Sequence, residues 1–214
     1  MEIDGQENQE ILELFLTCHN IGVDKGELFG DPMELEMFNC AQGKLIDIKG
    51  KEIFSPLLDS DEKLKKLKEF EFQVEYQRMS VIIQKGDKSP KLYLKGNPEI
   101  VKSLCTIDSI PQDFDKKLKQ LTLTGNRILA IASKRIDNIE LERLEHEIDV
   151  TFMGFVELVN PLKPSTKMAI RDLLVADIHV AMITGDNLLT AAAVAKHCSI
   201  LPEDEPYSEV HISN

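Results

Sequence analysis

The stretch Phe70–Glu99, FEFQVEYQRMSVIIQKGDKSPKLYLKGNPE, constrains the fold more than any other part of the chain. Phe70, Phe72, Val74 and Tyr76 alternate with Glu71, Gln73 and Glu75, the two-residue period of a strand with one face buried. Met79–Ile83 is a short apolar run rich in β-branched residues, and Lys85-Gly86-Asp87 with Ser89-Pro90 supplies the turn that reverses it. Leu92–Leu94 forms a third strand. Gly96 permits unusual backbone angles, and Pro98 suits the first turn of a helix that starts at Asn97. Such a segment folds as an antiparallel meander running into a helix.

The flanks supply helices and further strands. Gln9–His19 is amphipathic and reads as a helix, broken by Gly22 and Gly26. Asp31-Pro32, a capping residue followed by proline, predicts a helix from Met33 to about Ala41. Leu45–Phe54 alternates weakly as a strand, and the charged run 60–69 reads as a solvated loop or short helix. Helices are expected at 100–104, 113–122 and 140–147, and strands at Arg127–Ser133 and Val150–Val159. From Asn160 the character changes. Ser165 is expected to cap a helix to Val175, Ile178–Ile183 to form an apolar strand, and Asn187–His197 to form an alanine-rich helix, the alternation of a parallel sheet.

Charge and composition exclude several functions. With 25 basic against 37 acidic residues, the net charge of −12 argues against a nucleic-acid partner, which requires a basic face. It leaves room for a small anion held in a local positive pocket. No apolar run approaches the roughly 18–20 residues of a membrane-spanning helix, and the acidic start MEIDGQENQE fits neither a secretory nor a mitochondrial signal. The four cysteines are scattered without a C-x-x-C pair, which suits a reducing compartment. Cys18-His19 lacks the second ligand pair that a metal site needs, so no protein-held metal is expected.

Five strings then point in one direction: Gly30-Asp31-Pro32-Met33-Glu34-Leu35, FEFQVEYQRMSV with YLKGNPE, Arg127-Ile128-Leu129-Ala130-Ile131-Ala132, Asn160-Pro161-Leu162-Lys163, and MITGDNLLTA from Met182. In this order they resemble the nucleotide-binding domain of P-type ATPases, including the family's KGAPE and MxTGDNxxTA motifs. The wording is most similar to the type V (ATP13A-like) branch of cation- and polyamine-transporting ATPases. The resemblance implies an α/β (α+β) fold. An antiparallel sheet flanked by helices would form a nucleotide-binding domain over 1–155, joined to part of a parallel-sheet, haloacid-dehalogenase-like phosphorylation domain over 156–214.

It also implies a site. Phe72 aligns with the phenylalanine that stacks on adenine; on the residues alone it could equally be core, two places beyond Phe70. Lys95 and Gly96 match the KGAPE lysine and glycine in the nucleotide pocket, with Asn97 in place of the family's alanine; a solvated turn lysine is the alternative. Arg127 matches a phosphate-binding arginine, whose guanidinium fork suits phosphate oxygens, or else it is a surface residue. Glu34 resembles an acid on the adenine side, although an acid in a first helical turn also favours the helix itself. Thr184, Gly185 and Asp186 read as a strand–turn–helix joint whose N–H groups would face an anion, the γ-phosphate or phosphoaspartate in the family; an ordinary strand–turn–helix joint without a ligand is the alternative.

Other family motifs are missing from these residues. Neither DKTGT, which carries the aspartyl nucleophile, nor TGDGxND, whose aspartates hold Mg²⁺, occurs in the sequence. The resemblance therefore implies binding of ATP with its Mg²⁺ and no catalytic residue here. The partners would be the remaining phosphorylation, actuator and transmembrane segments of a transporter, at the cytosolic side of an internal membrane such as endoplasmic reticulum or endolysosome. A non-catalytic module that binds proteins is the rival reading; a complete small phosphatase would need the missing aspartate motif.

Overall fold

A computed structural model describes residues 6–46, 51–58, 63–123, 126–159, 162–184 and 188–202. The chain divides into two compact units, 1–114 with 128–156 and 115–127 with 157–214.

The first unit is built on an antiparallel sheet in sequence order: β1 (Lys44–Leu45), β2 (Glu52–Phe54), β3 (Leu64–Gln73), β4 (Arg78–Lys85), β5 (Lys91–Gly96), β6 (Arg127–Arg135) and β7 (Thr151–Leu158). A separate hairpin, Gly22–Asp24 with Glu27–Phe29, interrupts the chain between α1 (Gln6–Thr17) and α2 (Pro32–Cys40). The two glycines were expected only to break a helix; here they begin and turn a hairpin. The mixed α/β architecture with an antiparallel sheet follows the expectation. Asp31 caps α2 by accepting the Met33 N–H at 2.8 Å, with Pro32 at the first helical position.

The register separates two sheet faces. Ile82, Leu92 and Leu94 point to a core with Val101, Ala130, Ala132 and Val150, all but one fully buried helix residue coming from strands or their edges. The opposite face carries Val81, Ile83 and Tyr93 and is covered by α1, where Tyr93 Oη donates to Glu13 Oε2 at 2.6 Å and Lys85 Nζ to Glu13 Oε1 at 2.9 Å. Phe114, Phe152 and Phe155 close the far side as edge-on and tilted rings with centroids 4.8–5.3 Å apart.

Strand β3 departs most from the sequence reading. It begins at Leu64, inside the charged run expected to be loop or helix, and stops at Gln73; residues 74–77 form a turn. Lysines enter the sheet because their stems pack while the ammonium groups reach acceptors: buried Lys66 donates to His19 O at 3.0 Å, and Lys68 to Leu141 O at 2.7 Å. The first of two register shifts explains why Lys66 and Lys68, two residues apart, serve opposite faces. Between Lys66 and Lys68, and again between Phe70 and Gln73, β3 gains one residue on β4. Gly96 also has a different reason from the one expected. It lies within β5, where an added Cβ would meet Arg78 Cβ at 2.5 Å and Gln77 O at 2.6 Å, so glycine serves a close strand approach rather than an unusual angle.

Asn97 begins α3 (Pro98–Leu104) as expected, its Oδ1 accepting the Glu99 N–H at 2.9 Å. The helix expected over 140–147 contracts to α5 (Arg143–His146), after α4 (Phe114–Thr122). The second unit holds α4 beyond Phe114, α6 (Thr166–Val175) and α7 (Leu188–His197). Ser165 precedes α6 in a helical conformation and makes no side-chain cap, which requires an extended residue. Ile178–Ile183 is not a strand: no described segment pairs with it, and Ile183 is 99% exposed. A parallel strand is stable only between neighbours, so the apolar run alone does not make one.

Candidate functional site

At the Gly96 end of the sheet, the second register shift in β3 decides where Phe72 goes. Phe70 pairs with Ser80 and Gln73 with Arg78, so Glu71 and Phe72 together oppose Met79. Without the extra residue, Phe72 would repeat the orientation of Phe70, which packs against the core and lies 5.8 Å from the His146 ring. The bulge removes it from that face, and Phe72 is 53% exposed. The core alternative for Phe72 is thereby overturned. Met79 in turn pairs with Lys95, so Phe72 stands about two strand spacings, roughly 10 Å, from the Lys95 backbone.

Lys95 is no solvated turn lysine. Its side chain is 7% exposed, and Nζ donates to Glu34 Oε1 at 2.9 Å. Glu34 Oε2 accepts the backbone N–H of Asn20 at 2.9 Å, so α2 delivers a carboxylate that is held at both oxygens. The pair is close to neutral as a unit and offers a cation and an anion side by side, two strands across the sheet from exposed Phe72. Asn97, where the family has alanine, caps α3 and also donates from Nδ2 to Gln77 Oε1 at 3.0 Å. It ties the Lys95 end of β5 to the turn after Phe72.

The floor under Lys95 is polar and fully committed. Buried Cys18 directs its thiol towards the Met79 and Tyr93 carbonyls at 3.8 and 3.9 Å, and burial pushes its pKa up to about 11. His19 Nε2 donates to Leu16 O at 2.7 Å, while Nδ1 accepts the Ile21 N–H at 3.1 Å. That tautomer is neutral, and burial, then the nearby Lys66 charge, lowers its pKa from 6.5 to about 3. The unfolded histidine takes up a proton below its ordinary pKa and the folded one does not. Stability is therefore complete above about pH 6.5 and falls on acidification towards pH 3. Between pH 7.5 and 4.5 the His19 contribution lost is about 2–3 kcal/mol. Urea unfolding at both pH values, compared with His19→Gln, measures it; an equal acid loss in the variant would show that His19 is not responsible.

Beside this floor lies a charged cluster that the sequence reading did not single out. Glu147 is fully buried and accepts Arg78 Nε at 2.7 Å, Ser80 Oγ at 2.6 Å and Arg143 Nε at 3.0 Å. Arg78 and Ser80 lie within FEFQVEYQRMSV, whereas Arg143 and Glu147, four apart, lie in the segment expected only to be helical, and no local pattern joins the two pairs.

The other expected site residues fall elsewhere. Arg127 is exposed at the first position of β6 and belongs to the second unit, as does exposed Thr184. Gly185 and Asp186 lie outside the described residues. Among the described residues, no group of three His, Cys, Asp or Glu is arranged to hold a metal, and no helix is long and apolar enough to cross a membrane.

Comparison with known proteins decides the family. Residues 16–165 match the model for P-type ATPase, cytoplasmic domain N. The chain belongs to the P-type ATPases. It is 34% identical over 216 residues to the human protein named probable cation-transporting ATPase 13A5, covering 92% of this chain and 18% of that protein. It is 32% identical over 229 residues to polyamine-transporting ATPase 13A3 of Macaca fascicularis, and 31% identical over 230 residues to human polyamine-transporting ATPase 13A2, covering 88% and 95% of this chain. These relatives place it with the type V P-type ATPases, and the chain spans only 18–20% of their length.

Proposed function

We propose that this chain is the ATP-binding portion of a type V P-type transport ATPase. It would position ATP for phosphoryl transfer to an aspartate outside these residues and so drive cation or polyamine transport. The observation that carries this reading is the bulge that sets an exposed Phe72 two strands across from the buried Lys95–Glu34 pair on one sheet end. An exposed aromatic face binds a purine by dispersion with few rotors to freeze. A neighbouring cation and anion suit the ring nitrogens and exocyclic amine of adenine, which present an acceptor and a donor together.

Residues 1–155 then form the nucleotide-binding domain, with Glu34, Phe72, Lys95 and Gly96 around the base. Arg127 would meet the phosphates, and residues 156–214 would form part of the phosphorylation domain, with Thr184, Gly185 and Asp186 near the transferred phosphoryl. Magnesium would accompany ATP, its protein ligands lying outside this chain. In the parent transporter the segment would lie on the cytosolic side of an internal membrane. Phosphoryl transfer depends mainly on positioning and charge neutralisation, so holding ATP is itself a catalytic contribution.

The test is titration of the 214-residue chain with ATP, read by backbone amide shifts because the sequence contains no tryptophan. Shifts clustered on Phe70–Lys95 and Arg127, without steady phosphate release, support the reading. An intact fold with no shift at millimolar ATP would overturn it in favour of a protein-binding module.

A further inference from the structure

We propose that Arg143, held in place by Glu147, is a positioning residue that fixes the bulge presenting Phe72 to nucleotide. The inference rests on the nucleotide reading of Phe72 and adds to it the device that aims the ring.

A bulge takes a carbonyl out of the regular ladder, and that group needs another donor. Here the carbonyl of Glu71, half of the peptide unit leading into Phe72, accepts Arg143 Nη1 at 3.0 Å. The same guanidinium donates from Nη2 to the Arg78 carbonyl at 2.8 Å. One planar group thus bridges β3 and β4 across the turn between them. Its third nitrogen, Nε, lies 3.0 and 3.1 Å from the two Glu147 oxygens. The plane also covers the Tyr76 ring, with Cζ 4.6 Å from the centroid, while Arg78 approaches that ring at 5.1 Å. All the Arg143 donors named here meet structural acceptors, so its role is to shape the hairpin rather than touch ligand.

Lysine cannot reproduce this. A single ammonium retains charge but cannot reach Glu71 O, Arg78 O and Glu147 in one plane, nor stack on Tyr76 in the same way. Because Arg143 would act through the aim of Phe72, its contribution to ATP binding must vanish when the ring is gone. A residue with a merely structural role would instead weaken binding equally in either background.

The experiment is a double-mutant cycle on ATP affinity: wild type, Arg143→Lys, Phe72→Leu and the double variant, with thermal unfolding recorded for each. Arg143→Lys should weaken ATP roughly tenfold in the wild-type background. In the Phe72→Leu background it should change affinity by less than about twofold. Equal losses in both backgrounds, or no loss in either, would overturn the positioning role while leaving the nucleotide reading intact. Absence of ATP binding by wild type would remove the nucleotide reading, and the inference with it. Should Arg143→Lys fail to fold, Tyr76→Leu, which removes the stacking surface and spares the ion pairs, enters the same cycle with the same expectation.

Discussion

Phe72→Ala is expected to weaken ATP binding by about five- to 150-fold, the 1–3 kcal/mol typical of one base–aromatic stack. Stability should change by about 1 kcal/mol or less, because a residue 53% exposed already leaves half of its area in water. Phe70→Ala is the control. Phe70 packs on the core beside His146, and Lys68 Nζ lies 5.3 Å from its ring centroid. Truncation there should cost about 1–3 kcal/mol of stability, less than a fully buried phenylalanine because Phe70 is half-buried. Its ATP affinity should change little in the chain that remains folded. Amide-detected titration together with thermal unfolding of both variants separates the two roles. If Phe72→Ala instead leaves the affinity unchanged, the exposed ring does not stack on nucleotide and the assignment fails at its first residue.

The contrast between these two phenylalanines also marks the limit of sequence reading here. A strict alternation of Phe70, Phe72, Val74 and Tyr76 predicts one face for all of them. Alternation cannot register an inserted residue, because a bulge is defined by the partner strand: only the pairings Phe70–Ser80 and Gln73–Arg78 reveal it. The helix starts at Asp31 and Asn97 were legible because capping is local chemistry, written in a side chain and a following proline. The strand Leu64–Gln73 was hidden because its lysines are satisfied by distant acceptors, His19 and Leu141 among them. The Lys95–Glu34 pair joins residues 61 positions apart, and periodicity carries no information at that separation. Ile178–Ile183 fails for the converse reason. Its apolar run satisfies the local rule for a strand, yet no described segment supplies the neighbour that the rule assumes.

Glu147→Ala is expected to produce the largest loss of stability, about 3–5 kcal/mol, because removing one member of a buried charged cluster leaves its partners uncompensated. Arg78 and Arg143 side chains are 6% and 11% exposed, so neither guanidinium can recover full hydration in place. Ser80 Oγ, fully buried, loses its acceptor at the same time. At the roughly 2–4 °C per kcal/mol typical of a chain of this size, the melting temperature should fall by about 6–20 °C. Glu147→Gln should lose less, since the carboxamide keeps an acceptor for one arginine, though its NH₂ group then faces the other donors. The cluster is not required for stability as such: a well-packed apolar replacement of all its members can match a buried ion network. What an apolar replacement cannot do is donate to Glu71 O and Arg78 O across the turn, as Arg143 does. Circular dichroism melts of Glu147→Ala and Glu147→Gln decide the matter. A loss under about 1 kcal/mol in Glu147→Ala would mean that water or relaxation compensates both arginines, and the carboxylate would then not be what holds Arg143 at the Phe72 turn.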